Sequence, residues 1–347
     1  MSLGPLMIDL KGTSLDADER QWLQSPVVGG VILFTRNYAD PQQLQQLVAE
    51  IHGVRQPPLL VAVDHEGGRV QRFREAFFRL PPLRALGRLY DENPAAALKV
   101  ATSFGWLMAA ELRAVDVDLS FTPVVDLDLG LADVIGDRAL HADSEVVASL
   151  ALRFAAGAKQ AGMSVTAKHF PTHAGARSDS HTELAVDRRE YAELFDDLRP
   201  YRRLIDSGLQ AVMVAHVSFP QIDPLPASLS SWWINEQLRG ELGFGGAVIT
   251  DDVSMVGASV AGSVAERVRL ALDAGCDLVL LCNAPEQVPA VLESLGGYVN
   301  PPGQLRLARL HGRGGGGWEA LHASREWQAA CAALEPLCAR PGLELKG

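Results

Sequence analysis

The chain has 347 residues, 48% of them hydrophobic and 21% charged, with a formal net charge of −11. Such proportions belong to a globular protein with a substantial core, and the length allows two average domains or one large α/β barrel. The negative balance weighs against nucleic acid or an anionic membrane as the main partner, while leaving room for a local basic pocket. The first residues, MSLGPLMIDLKG, lack a basic segment followed by an apolar run, so no secretory leader is expected. No apolar stretch approaches the roughly 18 residues of a membrane helix. Cys276 and Cys282 lie six residues apart in a strand-like run. They would stand about 20 Å apart if extended and so cannot pair with each other. Free thiols in a reducing, cytoplasmic setting are the expectation.

In chain order, eight short apolar runs predict strands. They cover Leu6–Leu10, Gly30–Phe34, Leu59–Asp64, Leu119–Asp126, Ser164–Phe170, Ala211–Val217, Ala247–Asp252 and Cys276–Cys282. Nearly continuous apolar runs suit strands covered on both faces. Helical patterns intervene. SEVVASLALRFAAGAKQAG carries an apolar stripe that stops at Gly162, and SVAERVRLALDAG places Ser263 and Glu266 at capping-box spacing before a stop at Gly275. Eight strand–helix units predict a single (β/α)8 TIM-type barrel over residues 1–310. A doubly wound sheet is the alternative, but no GxGxxG follows the first strand. HGRGGGGW (His311–Trp318) predicts a flexible connector to a C-terminal helix packed on the barrel, together residues 311–347. Those glycines follow no strand and lack the lysine and hydroxyl of a phosphate-binding loop.

Polar residues gather where these strands finish. Asp64 ends the third, Asp126 the fourth, Lys168 and His169 the fifth, and Asp251 and Asp252 the seventh; His216 nearly ends the sixth, and Asn283 follows the eighth. In a barrel these side chains converge on one mouth. The segment KHFPTHAGARSDSH, Lys168 to His181, is the densest. Its histidines 169, 173 and 181 offer a zinc reading, but Pro171 breaks the helical geometry of the first two, and neither HExxH nor bracketing cysteines occur. No metal and no cofactor are expected. Asp179 and His181 point to the same side of an extended segment, so the carboxylate could orient the imidazole for proton transfer. The partner nucleophile would be one of the carboxylates in ITDDVSM. Consecutive strand residues face opposite ways, so only one of Asp251 and Asp252 is expected in the mouth. A carboxylate nucleophile opposite a proton donor is the layout of a retaining glycosidase.

Four segments then carry a resemblance. VDHEGGRVQRF (with Asp64 to Phe73), VIGDRALHAD (Val134 to Asp143), KHFP…DSH and ITDDVSM occur in the order seen in bacterial β-N-acetylhexosaminidases of glycoside hydrolase family 3. The chain resembles their single-barrel cytoplasmic type, which trims N-acetylglucosamine from recycled peptidoglycan fragments. AHVSFPQIDPLPASLS and CDLVLLCN extend the likeness, so it runs from Leu6 to Asn283. The resemblance implies Asp251 as nucleophile, His181 as acid/base and Asp179 as its orienting partner. It implies Asp64, Arg72, Arg138, Lys168 and His169 as sugar-binding residues. It also implies a carbohydrate substrate, an N-acetylglucosaminyl-anhydro-muropeptide, and a monomeric enzyme without nucleic-acid or membrane partners. An imidazole with an unperturbed pKa near 6.5 needs little tuning to donate a proton near neutral pH.

This sequence departs from the family pattern at several positions. Thr172 and Ala174 stand where KHFPGHG has glycines, His65 replaces a glutamine, and Ala139-Leu140 follows Arg138 in place of a hydroxyl–aromatic pair. Three rivals are weighed against the N-acetylglucosaminidase. A family 3 β-glucosidase would share Asp251 but take its acid from a second domain. A sugar-binding barrel without activity would be expected to lose the nucleophile or the dyad. A metal-dependent hydrolase is the third.

Overall fold

The computed structural model of the chain describes residues 3–176, 185–255, 257–258 and 262–338. Eight strands form the centre: β1 (Leu6–Asp9), β2 (Val28–Leu33), β3 (Leu60–Val63), β4 (Leu119–Ser120), β5 (Ser164–Phe170), β6 (Ala211–Val214), β7 (Ala247–Asp252) and β8 (Leu278–Leu281). Each pairs in parallel with its chain neighbours, and β8 returns to β1, where Leu6, Met7 and Ile8 face Val279, Leu280 and Leu281. The result is a closed (β/α)8 barrel with helices outside, as the strand–helix alternation predicts. Both strand faces are covered, so β2 is buried at every position. The capping box is present: Ser263 N donates to Glu266 Oε2 (2.8 Å), and Glu266 N donates to Ser263 Oγ (3.4 Å).

Two strands end three or more residues earlier than the apolar runs suggest. The fourth stops at Ser120 rather than Asp126, since Pro123 brings no N–H to the ladder. The chain still follows β5, with a Val124–Lys168 bridge and Val125 N donating to Lys168 O at 2.8 Å. Asp126 therefore reaches the mouth on irregular backbone. The sixth stops at Val214, and Val217–Phe219 joins a separate three-stranded sheet with Ala185–Val186 and Asp223–Pro226.

The glycine-rich connector is pinned under the barrel, not free. Gly312 N donates to Asp118 Oδ1 (2.9 Å), Arg313 N to Gly162 O (2.8 Å), and Arg113 Nη2 to Gly314 O (3.0 Å). The helix Arg325–Cys338 that follows lies on the helix Pro94–Ala114, where Trp327 Nε1 donates to Glu111 Oε1 at 3.0 Å.

Two outer helices, Pro94–Ala114 and Ser144–Gln160, touch backbone to backbone. A Cβ on Gly105 would lie 2.0 Å from Phe154 O, and one on Gly157 would lie 2.0 Å from Thr102 O. Gly105→Val and Gly157→Val should each cost about 1–3 kcal/mol, the range for overpacking a close-packed contact. Urea denaturation followed by circular dichroism checks this; an unchanged midpoint would mean the helices are not held at this separation.

Candidate active site

At the carboxyl ends of the strands lies a cavity of about 360 Å³, lined by Asp64, Arg72, Arg138, Lys168, His169 and Asp251. All five expected binding residues and the expected nucleophile are thus brought together. Asp179 and His181 lie outside the described residues.

The wall at β3 follows from strand alternation. Asp64 and Glu66 face the cavity, while His65 turns the opposite way into Phe73 and Phe77, with ring centroids 5.7 and 5.6 Å away. His65 is 1% exposed, and burial pushes its imidazole down to about 3. The replacement of glutamine by histidine at this position therefore alters the packing behind the cavity and not its lining. Gly67 and Gly68 turn the chain into Val70–Gln71, both at positive φ (104° and 55°). A Cβ on Gly67 would also strike Pro81 O at 2.4 Å.

Glu66, to which the sequence reading assigned no role, is the anchor of the cations. Its Oε2 accepts from Arg138 Nε (2.8 Å), and its Oε1 accepts from Arg138 Nη2 (2.9 Å) and Lys168 Nζ (2.6 Å). Lys168 Nζ also donates to Asp64 Oδ1 at 2.9 Å, and Arg72 Nη2 lies 3.6 Å from Asp64 Oδ2. Burial alone would raise the Glu66 carboxyl, but Arg138 and Lys168 hold it well below the usual carboxylate range. Burial alone would lower Lys168; Asp64 and Glu66 outweigh it and move the ammonium above its ordinary value. Arg138 itself ends a short 3₁₀ turn, Gly136–Arg138. Arg69 braces the preceding loop through Asp133 O (3.1 Å), Val134 O (2.6 Å) and the Asp137 carboxylate (3.3 Å).

At the end of β5, Asp126 organises the histidines. Its Oδ2 faces His169 Nδ1 at 2.8 Å and accepts from His169 N at 3.1 Å, while Oδ1 accepts from His173 N at 2.6 Å. The Nδ1 of His169 is thereby occupied by a carboxylate, which leaves Nε2 toward Arg138 Nη2 at 3.5 Å. Among the described residues no group of three or more His, Cys, Asp or Glu could hold a metal ion. Thr172 and Ala174 do not have left-handed backbone, so glycine is not required at either. Both are buried, and Ala174 N donates to Thr172 Oγ1 at 3.0 Å. Gly175 is the position that needs hydrogen, because a Cβ there would lie 2.2 Å from Asp187 Oδ2.

Asp251 and Asp252 both line the cavity, contrary to strict alternation, because the register of β7 against β8 shifts between Ile249 and Asp252. Their carboxylates nevertheless differ. Asp252 Oδ1 accepts from Ser254 N and Cys282 N, each at 3.0 Å, and Oδ2 accepts from Ser254 Oγ at 2.6 Å. Asp252 thus ties β7 to β8, and burial pushes its carboxyl up to about 6. His216 props the same strand end rather than facing the mouth. It is buried, with Nε2 2.9 Å from Asp252 O and Nδ1 2.6 Å from Ser228 Oγ.

His65 gives a pH test of this arrangement. Its folded-state value of about 3 lies below the unfolded 6.5. The folded state therefore binds fewer protons in that window, and its stability falls as pH drops from 6.5 toward 3, by about 1.4 kcal/mol per pH unit at most. His65→Gln should flatten this part of the urea-midpoint profile and leave ligand affinity unchanged. A parental acid slope in the variant would show that His65 is not the group buried there.

The profile for the Glycosyl hydrolase family 3 N terminal domain matches residues 6–301. A β-hexosaminidase of Thioalkalivibrio sulfidiphilus is 53% identical over 345 residues, 99% of this chain and 99% of the relative. The structure of NagZ from Neisseria gonorrhoeae in complex with N-trifluoroacetyl-D-glucosamine superposes with a TM-score of 0.93 at 41% identity, covering 98% of this chain and 99% of that one. A second structure of the Neisseria protein, in complex with zinc ion, gives 0.91 at 40% identity, covering 97% and 98%. The barrel, the charged cavity at its mouth and matches along nearly the whole length agree: the chain belongs to glycosyl hydrolase family 3.

Proposed function

We propose that the protein is a retaining β-N-acetylglucosaminidase that removes terminal β-linked N-acetylglucosamine from peptidoglycan-derived muropeptides, as a cytoplasmic monomer. The observation that carries this reading is the meeting of Asp251 with three fixed cations in one cavity. A cavity of about 360 Å³ falls at the small end of the ligand-site range and suits one acylamino sugar. The β-hexosaminidase relative and the Neisseria complex with an N-acylated glucosamine support that sugar class.

In the proposed reaction Asp251 attacks the anomeric carbon while His181 protonates the departing oxygen. Water, activated by the same imidazole, then releases the sugar from Asp251. Asp179 orients His181. Asp64, Arg72, Arg138, Lys168 and His169 hold the sugar hydroxyls, with the guanidinium groups serving as fixed donor forks. Asp252 is left out of the chemistry because Ser254 and Cys282 already hold its carboxylate.

Retention is read by proton NMR of the first-formed sugar. The β-anomer is expected, and an α-anomer would end the proposal. Activity should survive a chelator; loss with EDTA and return with zinc would favour a metal-dependent hydrolase instead. An aryl β-glucoside turned over as well as the aryl β-N-acetylglucosaminide would favour the β-glucosidase reading.

Nucleophile and acid are separable by leaving group. Asp251→Asn should abolish turnover of every β-glycoside. His181→Ala should slow disaccharide cleavage roughly 10²–10⁴-fold. It should spare the first-turnover burst from a dinitrophenyl glycoside, whose leaving group departs without a proton. Equal losses in that first step for both leaving groups would remove His181 from the acid role.

A further inference from the structure

The cations of the cavity do not hold themselves in place. Lys168 is 2% exposed, and its four-carbon stem allows many positions for the ammonium; Arg138 arrives from a loop rather than from a barrel strand. Both converge on the Glu66 carboxylate, which is itself 1% exposed. The geometry points to Glu66 as a positioning residue that aligns Arg138 and Lys168 as sugar donors, an inference that rests on reading those two as sugar ligands.

The chemistry of the contact supports a carboxylate in particular. The Glu66 carboxylate meets cationic N–H groups at both ends: Arg138 Nε on Oε2, and Arg138 Nη2 and Lys168 Nζ on Oε1. A carboxylate has acceptors at both ends and can face donors with each. An amide cannot. In glutamine one end is NH₂: in place of Oε2 it would meet Arg138 Nε, and in place of Oε1 both Arg138 Nη2 and Lys168 Nζ, donor to donor. Glu66 also makes two side-by-side bonds to Arg138, the geometry that fixes a guanidinium plane. The Lys168 ammonium lies between Glu66 and Asp64, so the two acidic residues of the β3 wall set its place together. Both oxygens of the Glu66 carboxylate are engaged by Arg138 and Lys168, so its action passes through the two cations.

The test compares Glu66→Gln, Glu66→Asp, Arg138→Met and Lys168→Met with the parent, using an aryl β-N-acetylglucosaminide. Glu66→Gln should raise KM roughly 10- to 100-fold, the effect of a lost charged hydrogen bond, with a smaller change in kcat. It should also bring an alkaline limb in kcat/KM below the ordinary lysine value of 10.5, because burial then outweighs the remaining anion at Lys168. A purely structural role would lower the melting temperature without creating that limb. Glu66→Asp keeps the charge but shortens the reach. It should raise KM and leave the alkaline limb where the parent has it. Glu66→Gln combined with Arg138→Met should exceed Arg138→Met alone by less than Glu66→Gln costs in the parent, since only the share through Lys168 remains; full additivity would overturn the inference. So would a parental KM in Glu66→Gln, or in Glu66→Asp where the glutamine variant does not fold. If Arg138→Met and Lys168→Met also keep the parental KM, the sugar-binding reading falls first and this inference with it. If those two fail and the Glu66 variants do not, the inference alone falls.

Discussion

The arrangement depends on one buried ammonium. Lys168 Nζ sits 2.9 Å from Asp64 and 2.6 Å from Glu66, joining the end of β5 to the end of β3 across the barrel mouth. Stripping water from such charges is expensive, and removal of one partner leaves the other uncompensated. The three groups are therefore mutually obligatory. Arg138 attaches to both oxygens of Glu66 and Arg72 approaches Oδ2 of Asp64, so that five charged side chains form one network with alternating signs. Its rigidity comes from charge pairing that no single member could sustain in a buried position.

The opposite end of the barrel uses buried carboxylates for a different purpose. Asp118 accepts from Val61 N and Gly312 N, close to Arg113, and Asp277 accepts from Val248 N, Arg239 and Arg306. Burial would raise Asp118, but the imidazoles of His311 and His52, each 3.5 Å away, and the bond from Val61 N hold it low. These groups tie strand starts to the outer helices and the connector. Main-chain partners mark the carboxylates of that end as fasteners. At the mouth Asp64 and Glu66 instead hold side-chain cations, and those cations face a cavity.

Much of this was legible in the sequence because it depends on period and position. Eight apolar runs gave eight barrel strands, and the polar residues after them gave the mouth. What escaped depended on local breaks in regularity. Pro123 shortened β4, and the register shift in β7 put both Asp251 and Asp252 beside the cavity. Hydrogen-bond partners, which no pattern prints, then separated their roles. Glu66 was within reach of sequence reasoning, since it stands two residues after Asp64 and must share its face. His65 and Thr172 looked like changes to the site, yet one faces an aromatic cluster and the other holds a turn. Asp179 and His181, outside the described residues, rest on the spacing of DSH and on the family resemblance.

The tie made by Asp252 divides the cavity into two independently braced halves. The carboxylate wall, β7 and β8, is locked through Ser254 and Cys282, while the cationic wall, β3 and β5, is locked through Lys168. Between them stands β6, whose Met213 lines the floor. The gap a sugar must bridge is thus a dimension of the barrel itself, like the jaw opening of a wrench set by its frame. Core residues beneath the mouth then set how far apart the two walls stand.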